Sequence, residues 1–417
     1  MRAEFPGIEL ALGPFDEALL AGVDAVVASP GLALRDPVLR AALARGLEVV
    51  GDVEIFGREI AARPEGPRVL GVTGTNGKST VTALTAAMAR AAGLKAEAIG
   101  NIGVPVLDAL VQADAHGMPD LFVVELSSYQ LETTSSLALD AATMLNVTQD
   151  HLDRYDSLAD YARAKERIFM NCGTRVVNRD DEWSRGMGKL GPGLRRGDVF
   201  SFGLDAPLNE NEWGLDAERR NLQRGATPLL AVSGMAMPGM HNVANGLAAH
   251  ALASAIGLPA APLAQALREF KGLPHRVQPG AEARGVRFYD DSKGTNVGAS
   301  VAALAGFDVP VVLIAGGDGK GQDFSPLAPA VKAHARAVVL IGRDAPSIAA
   351  ALGPTGVPVQ RAQSMEEAVQ AAFALAQDGD AVLLSPACAS FDMFRNYGHR
   401  GEVFAKAAQA LVAERGL

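Results

Sequence analysis

The segment RVLGVTGTNGKST, residues 68–80, carries the residue types that hold phosphate. Its opening apolar run, Arg68 to Thr73, is rich in β-branched residues and reads as a buried strand. Gly74 and Gly77 let the backbone turn tightly and come close to a ligand. After Lys78 an Ala-rich stretch with apolar residues at helical spacing runs to a stop at Gly93. Strand, glycine loop, lysine and helix, in that order, make a phosphate-binding loop. The backbone of Gly74, Thr75, Asn76 and Gly77 faces the phosphates, Lys78 reaches the outer ones, and Ser79 or Thr80 offers a hydroxyl to Mg²⁺. The strict spacing G-x-x-x-x-G-K-[ST] is not met, because its first position falls on Val72. A glycine turn with a surface lysine is the competing reading, and the order of elements weighs against it. The loop alone does not separate a kinase, a motor ATPase and a ligase.

Other candidates also sit at the ends of apolar runs. Glu125 closes LFVVEL and leads into Ser127, Ser128 and Gln130. A carboxylate there is a natural Mg²⁺ ligand, although a solvated loop carboxylate fits the pattern equally well. NVTQDHLDRY brings Asp150, His151 and Asp153 together after another apolar run, an arrangement suited to a metal or a phosphate. Lys165 lies in the helical pattern LADYARAKERIF, where the default is a solvated face shared with Arg163 and Glu166.

The elements that position these residues fall into three blocks. Residues 1–64 hold the run DAVVAS, a helix from Asp36 to Arg45 and the run LEVVG, and Pro64, Gly66 and Pro67 mark a linker. Residues 65–272 open with the phosphate loop and add strands at LFVVEL, ATMLNV and TRVVN, while the polar stretch from Asp181 to Gly225 has no clear assignment. Residues 273–417 alternate strands (VRFYDDS, VPVVLIAGG, RAVVLIG, AVLLSP) with Ala-rich helices. That alternation predicts a mostly parallel, doubly wound α/β sheet with ligands at the strand C-ends. Asp290-Asp291-Ser292-Lys293, the stretch Gly316 to Lys320, and Ser385-Pro386 stand at those ends.

The bulk numbers narrow the class. A chain of 417 residues, 48% hydrophobic and 20% charged, is a globular protein of two or three domains. Aromatics are only 5%, so Ala, Val and Leu must fill the cores. A net charge of −9 argues against a nucleic-acid partner, and an anionic substrate must then be held by local basic groups and helix N-termini. Cys172 and Cys388 offer no zinc spacing and fit a reducing cytoplasm. No apolar run spans a bilayer, and Glu4, Glu9 and Asp16 are unlike a signal peptide.

Read together, GVTGTNGKST, ELSSYQLETTSSL, LNVTQDHLDRY, MHNVANGLAA, GLPHR, DDSKGTNVGAS, AGGDGKGQDF and LLSPACASFDMF stand in an order that resembles the Mur ligases, from about Val26 to the end of the chain. The third block is most similar to the branch that adds D-glutamate to UDP-N-acetylmuramoyl-L-alanine in peptidoglycan synthesis. The resemblance implies three domains: a partial Rossmann-like N-terminal domain, a central P-loop ATPase domain and a C-terminal Rossmann-like domain. It implies ATP, two Mg²⁺ ions and an acyl-phosphate intermediate that an amine attacks.

By the same resemblance, Lys78, Ser79 and Thr80 belong to the ATP and Mg²⁺ loop. Glu125 holds a first Mg²⁺ and His151 a second, and Lys165 is carbamylated to support a metal. Asn245, Arg276 and Asp291 surround the nucleotide. Lys293, Thr295, Lys320, Ser390 and Phe391 form the D-glutamate pocket, whose details Phe391 and Tyr397 leave open. Asn101, Ser127 and Gln130 touch the UDP-muramoyl substrate, with Gly31 near the uracil. A cytoplasmic monomer is expected. The family's opening strand and glycine loop are not found before DAVVASPG, so a first βα unit is expected to be missing, exposing an apolar sheet edge. Another amino-acid-adding Mur ligase, a folylpolyglutamate synthetase or a non-catalytic nucleotide-binding relative are the alternatives. The Asn-Pro-Arg turn expected of the diaminopimelate-adding type is not found.

Overall fold

The computed structural model describes residues 7–188 and 198–414; residues 1–6, which include Glu4, lie outside them. The first body is small. Strand β1 (Ala25–Val27), helix α1 (Pro37–Ala44) and strand β2 (Glu48–Val50) follow one another, and the two strands pair in parallel. The helix expected from Asp36 to Arg45 forms between those two residues. Its apolar positions Val38, Leu39 and Ala42 are buried with Leu20 and Ala28. Val27 on β1 is 61% exposed and Leu12, ahead of β1, 82%.

Helix α2 (Asp52–Ala61) carries the chain to the second body and is part of its core. Val53 and Phe56 are fully buried there, and Phe56 meets Phe122 edge-on at 5.6 Å. Glu54 anchors the helix. Its side chain is 1% exposed and accepts hydrogen bonds from the Ser135 and Ser136 amides at 2.7 and 2.9 Å and from Arg58 Nε at 3.1 Å. Burial alone would raise the carboxyl pKa, but these donors outweigh it and hold it at about 2. A carboxyl held that low contributes stability above its ordinary pKa and loses it as pH falls toward about 2. Glu54→Gln is therefore expected to cost about 3 kcal/mol at neutral pH, with the difference from wild type shrinking below pH 4. Urea unfolding at pH 7, 4 and 3 checks this, and a pH-independent difference would contradict it.

The second body is a nine-stranded sheet. In chain order its elements are β3 (Arg68–Thr73), α3 (Lys78–Ala91), β4 (Ala96–Gly100), α4 (Val106–His116), β5 (Leu121–Glu125), α5 (Ser128–Glu132), β6 (Leu139–Met144), α6 (Leu158–Glu166), β7 (Cys172–Asn178), α7 (Glu182–Gly186), β8 (Val199–Phe202), β9 (Glu212–Leu215), β10 (Asn221–Arg224), β11 (Thr227–Ala231), α8 (Met240–Ala255) and α9 (Ala260–Glu269). The spatial order is β4-β5-β3-β6-β7-β8-β9-β10-β11. It is parallel as far as β9, and then β10 and β11 run antiparallel. The polar stretch that the sequence left unassigned thus supplies α7 and the strands β8 to β10. Only a few of its side chains reach the core, among them Trp213, Leu215 and Leu222, too few for a periodic signal. Helices α3 and α8 meet through small residues, with Ala86, Ala89, Ala248, Ala249 and Ala251 all fully buried. Small side chains of this kind let helix axes approach closely.

The third body continues with β12 (Gln278–Ala283), β13 (Val286–Asp290), α10 (Val297–Leu304), β14 (Val311–Gly316), α11 (Leu327–His334), β15 (Ala335–Ile341), α12 (Ala345–Leu352), β16 (Val359–Arg361), α13 (Met365–Leu375), β17 (Ala381–Leu384) and α14 (Tyr397–Glu414). The sheet order is β12-β13-β17-β14-β15-β16, parallel except for β12. Val and Leu of β14, β15 and β17 point alternately into cores on both faces, the doubly wound arrangement the sequence predicts. Strands β4, β12 and β16 escaped that reading because they are short or carry polar and small residues.

Candidate active site

Chain order reverses in the central sheet where β3 lies between β5 and β6, and such a switch point opens a crevice at the strand C-ends. The phosphate loop crosses it. Gly74 and Gly77 have φ of 151° and 86°, and a Cβ on Gly77 would come within 2.5 Å of Asn245 Oδ1. Two loop amides that the sequence reading gives to phosphate are spent elsewhere. Thr75 N donates to Asn146 O and Asn76 N to Asn146 Oδ1, both at 2.8 Å. Gly77 through Thr80, at the start of α3, line the crevice.

Two lysines converge on one carbonyl. Lys78 Nζ donates to Gly74 O and Thr75 O at 2.9 Å, and Lys165 Nζ donates to Gly74 O at 2.8 Å. Lys165 is 1% exposed, with Nζ 4.5 Å from the centre of the Tyr161 ring, so it is no solvated helix face. Burial, and then the charge of Lys78, press its pKa well below the usual lysine range. Burial also lowers the pKa of Lys78, opposed by the charges of Glu125 and Asp150.

Glu125 is buried as well, at 2% exposure. Its Oε1 accepts from Asn101 Nδ2 at 2.8 Å, and its Oε2 is buried without a hydrogen-bond partner. A bare carboxylate oxygen in the interior is costly unless something cationic meets it. His151 takes a left-handed φ of 56° and hydrogen-bonds the Tyr129 hydroxyl through Nδ1 at 2.6 Å, and its Nε2 stands 3.7 Å from Asp150 Oδ2.

The third body reaches across to this loop. Arg276 donates to Ser79 Oγ at 2.7 Å. Asn296 Nδ2 donates to Asn76 Oδ1 at 3.0 Å, and Asn76 Nδ2 returns the bond at 3.3 Å. Lys293 Nζ lies 3.9 Å over the Tyr397 ring. Asp291 accepts from Ser385 Oγ at 2.7 Å, and burial pushes its carboxyl up to about 7. The result is a set of cavities sharing Arg276 and Lys293. One, of 160 Å³, is lined by Lys78, Ser79, Asn101, Glu125, His151 and Thr295. A second, of 320 Å³, lies toward Thr80, Asn178, Phe202, Asn245 and Asp291. A third, of 470 Å³, lies toward Asn101, His275 and Tyr397.

The model of the Mur ligase middle domain matches residues 72–253, that of the Mur ligase glutamate ligase domain residues 275–388, and that of the Mur ligase MurD-like N-terminal domain residues 2–51. The UDP-N-acetylmuramoylalanine–D-glutamate ligase of Methylobacillus flagellatus is 54% identical over 99% of this chain and 88% of its own length. The enzyme of the same name from Nitrosomonas europaea is 51% identical over 97% and 87%. The chain belongs to the Mur ligase family. Among solved structures, a UDP-N-acetylmuramate–alanine ligase of Thermotoga maritima shares this Mur ligase's fold, with a TM-score of 0.62 at 20% identity over 95% of this chain and 88% of that one. A pseudomurein peptide ligase of Methanothermus fervidus does so with a TM-score of 0.63 at 17% identity over 98% and 92%.

Not every residue expected at the Mur ligase site converges on the crevice. Ser127 and Gln130 bond each other as the capping box of α5. Gly31 is exposed on the loop after β1, where Arg154 donates to Pro30 O and Leu32 O on either side of it. Lys320, Ser390 and Phe391 line none of the three cavities. Lys320 has a φ of 51°, Ser390 is buried and Phe391 is 73% exposed. Asn146, Asn296 and Tyr129 were missed. Asn296 is recognisable as the N-cap of α10, accepting from Ala299 N, but its reach to Asn76 is invisible in sequence.

Metal sites fit the donors present. Among the described residues no three His, Cys, Asp or Glu side chains cluster closely enough to cage an ion. Mg²⁺ does not need such a cage, since it takes one or two protein oxygens and completes its shell with water and phosphate. The orphaned Oε2 of Glu125 is such an oxygen.

Proposed function

We propose that this Mur ligase joins D-glutamate to UDP-N-acetylmuramoyl-L-alanine in peptidoglycan synthesis, with ATP consumed, as a cytoplasmic monomer. The names of the curated relatives at about half identity support the substrate choice. Among the described residues no helix is long and apolar enough to cross a membrane. We place the domain limits at residues 1–64, 65–272 and 273–417.

The observation that carries the chemistry is the convergence of Lys78, Arg276 and Lys293, from separate bodies, on the pocket that holds the bare oxygen of Glu125, with Lys165 buried behind the loop against Gly74 O. Oxide is a poor leaving group, so a carboxylate does not react with an amine directly. Transfer of the ATP γ-phosphoryl to the carboxylate gives an acyl phosphate, and the amine of D-glutamate then displaces phosphate through a tetrahedral intermediate. Every reactant is anionic, and the basic side chains offset that repulsion. Glu125 with Ser79, and His151 with carbamylated Lys165, would hold two Mg²⁺ ions, which supply charge neutralisation at the phosphates. Lys293 and Thr295 face the incoming amino acid, joined by Lys320, Ser390 and Phe391. Asn101, Ser127, Gln130 and Gly31 serve the UDP-sugar. Asn245, Arg276 and Asp291 serve the nucleotide.

Phosphate release is the direct test. The purified protein is expected to release phosphate only when ATP, UDP-N-acetylmuramoyl-L-alanine and D-glutamate are all present, and not with L-lysine or diaminopimelate in place of D-glutamate. Release without either acceptor would make it a plain ATPase.

A further inference from the structure

Arg400, on the first turns of α14, is wholly buried, and among the described residues it forms no ion pair. Burying a guanidinium without a carboxylate is unfavourable, so the group must be satisfied in another way. Its three nitrogens donate to two loops. Nε donates to Ser292 Oγ at 3.0 Å and Nη2 to Ser292 O at 2.8 Å, while Nη1 donates to Cys388 O at 3.0 Å. Arg400 therefore bridges the loop after β13 to the loop after β17.

The first loop carries Lys293 and Thr295, and the second carries Ser390. Neighbouring contacts fix the first loop from the same side. Ser292 Oγ donates to Tyr397 O at 2.8 Å, and the Tyr397 ring lies under Lys293 Nζ. Lys293 N donates to His275 O, and His275 Nδ1 pairs with Asp290 Oδ2 at 2.7 Å. The planar guanidinium fork suits this role because its donors are held at fixed angles to one another, which an ammonium group cannot match.

We propose that Arg400 is a positioning residue for the amino-acid substrate, holding the loops of Lys293 and Ser390 in register without touching the substrate itself. The proposal rests on the reading that these loops receive D-glutamate. Displacing a binding group by about an ångström is enough to lower turnover by about a hundredfold, so the loss should fall chiefly on the substrate of Lys293 and Ser390, with ATP affected less through Asp291 on the same loop.

The test uses the full chain and determines KM for each of the three substrates. Arg400→Lys keeps the charge but loses the fork, and Ser292→Ala removes one of its acceptors with little change in volume. Arg400→Lys is expected to raise KM for D-glutamate by about tenfold, with KM for ATP and for the UDP-sugar within about twofold of wild type. Ser292→Ala should act in the same direction more weakly, and the double variant should be little worse than Arg400→Lys alone. An unchanged D-glutamate KM, or a uniform loss for all three substrates with a lowered melting temperature, overturns the proposal. Were the wild-type protein itself indifferent to D-glutamate, the functional reading would fail instead, so the two failures are distinguishable.

Discussion

Lys165→Ala is expected to lower kcat by about a hundredfold to a thousandfold while the protein remains folded. The lysine is buried, donates to Gly74 O and stands near the second cation Lys78; burial first, and then that charge, lower its pKa well below the usual lysine range. A neutral amine is a nucleophile toward dissolved CO₂. On the proposed reading the N–C bond would form, a proton would leave, and the product would be a carbamate with an anionic oxygen pair. The ammonium form repels Lys78, whereas the carbamate would attract it, near the carboxylates of Glu125 and Asp150. Bicarbonate should therefore not restore the alanine variant, whereas acetate or formate, small enough to enter the vacated space, should restore part of the rate. Phosphate release measures both. In protein equilibrated with ¹³C-bicarbonate, a carbamate resonance is expected in wild type and not in Lys165→Ala. A variant near the wild-type rate would remove the carbamate from the mechanism.

The second large effect belongs to Lys78. Its ammonium is folded back on the carbonyls of Gly74 and Thr75 and is well placed to reach phosphate from the start of α3. Lys78→Ala should reduce kcat/KM for ATP by roughly a thousandfold, since phosphoryl transfer depends on cations placed where charge develops. It should also raise the pKa of Lys165, whose depression owes part of its size to that neighbouring charge. The carbamate signal should weaken accordingly, linking two positions that are distant in sequence. If the kinetic loss appears without any change in that signal, the two amines act independently.

Much of this arrangement is legible in the sequence. The phosphate loop, Glu125 and His151 announce themselves because each follows an apolar strand, and a strand end fixes where a side chain emerges. The alternation of the third body is equally plain, since its strands are buried on both faces. Lys165 was not legible in this way. On pattern alone it belongs to an exposed helix face, and only the resemblance singled it out. Its Nζ lies by the Tyr161 ring and bonds Gly74 O of the phosphate loop, contacts that no local pattern announces. Asn146 shows the converse: its side chain captures an amide that the motif alone would assign to phosphate. The segment from Asp181 to Gly225 failed for a compositional reason, as its strands are short and its polar residues bond one another, for example Asn209 with Glu212 and Asn221 with Asp216.

The contacts by which Asn296 and Arg276 hold the third body against the second are amide to amide, amide to the Asp150 carboxylate at 3.4 Å and guanidinium to hydroxyl; among the described residues no ion pair crosses between these two bodies. The Coulombic attraction across this seam comes from Glu125 facing Arg276 and Lys293 inside a pocket, where salt screens it less than at the open surface. Parting the two bodies would leave the positive charge of Lys78 on one side and of Arg276 and Lys293 on the other, each facing the anions proposed to arrive there.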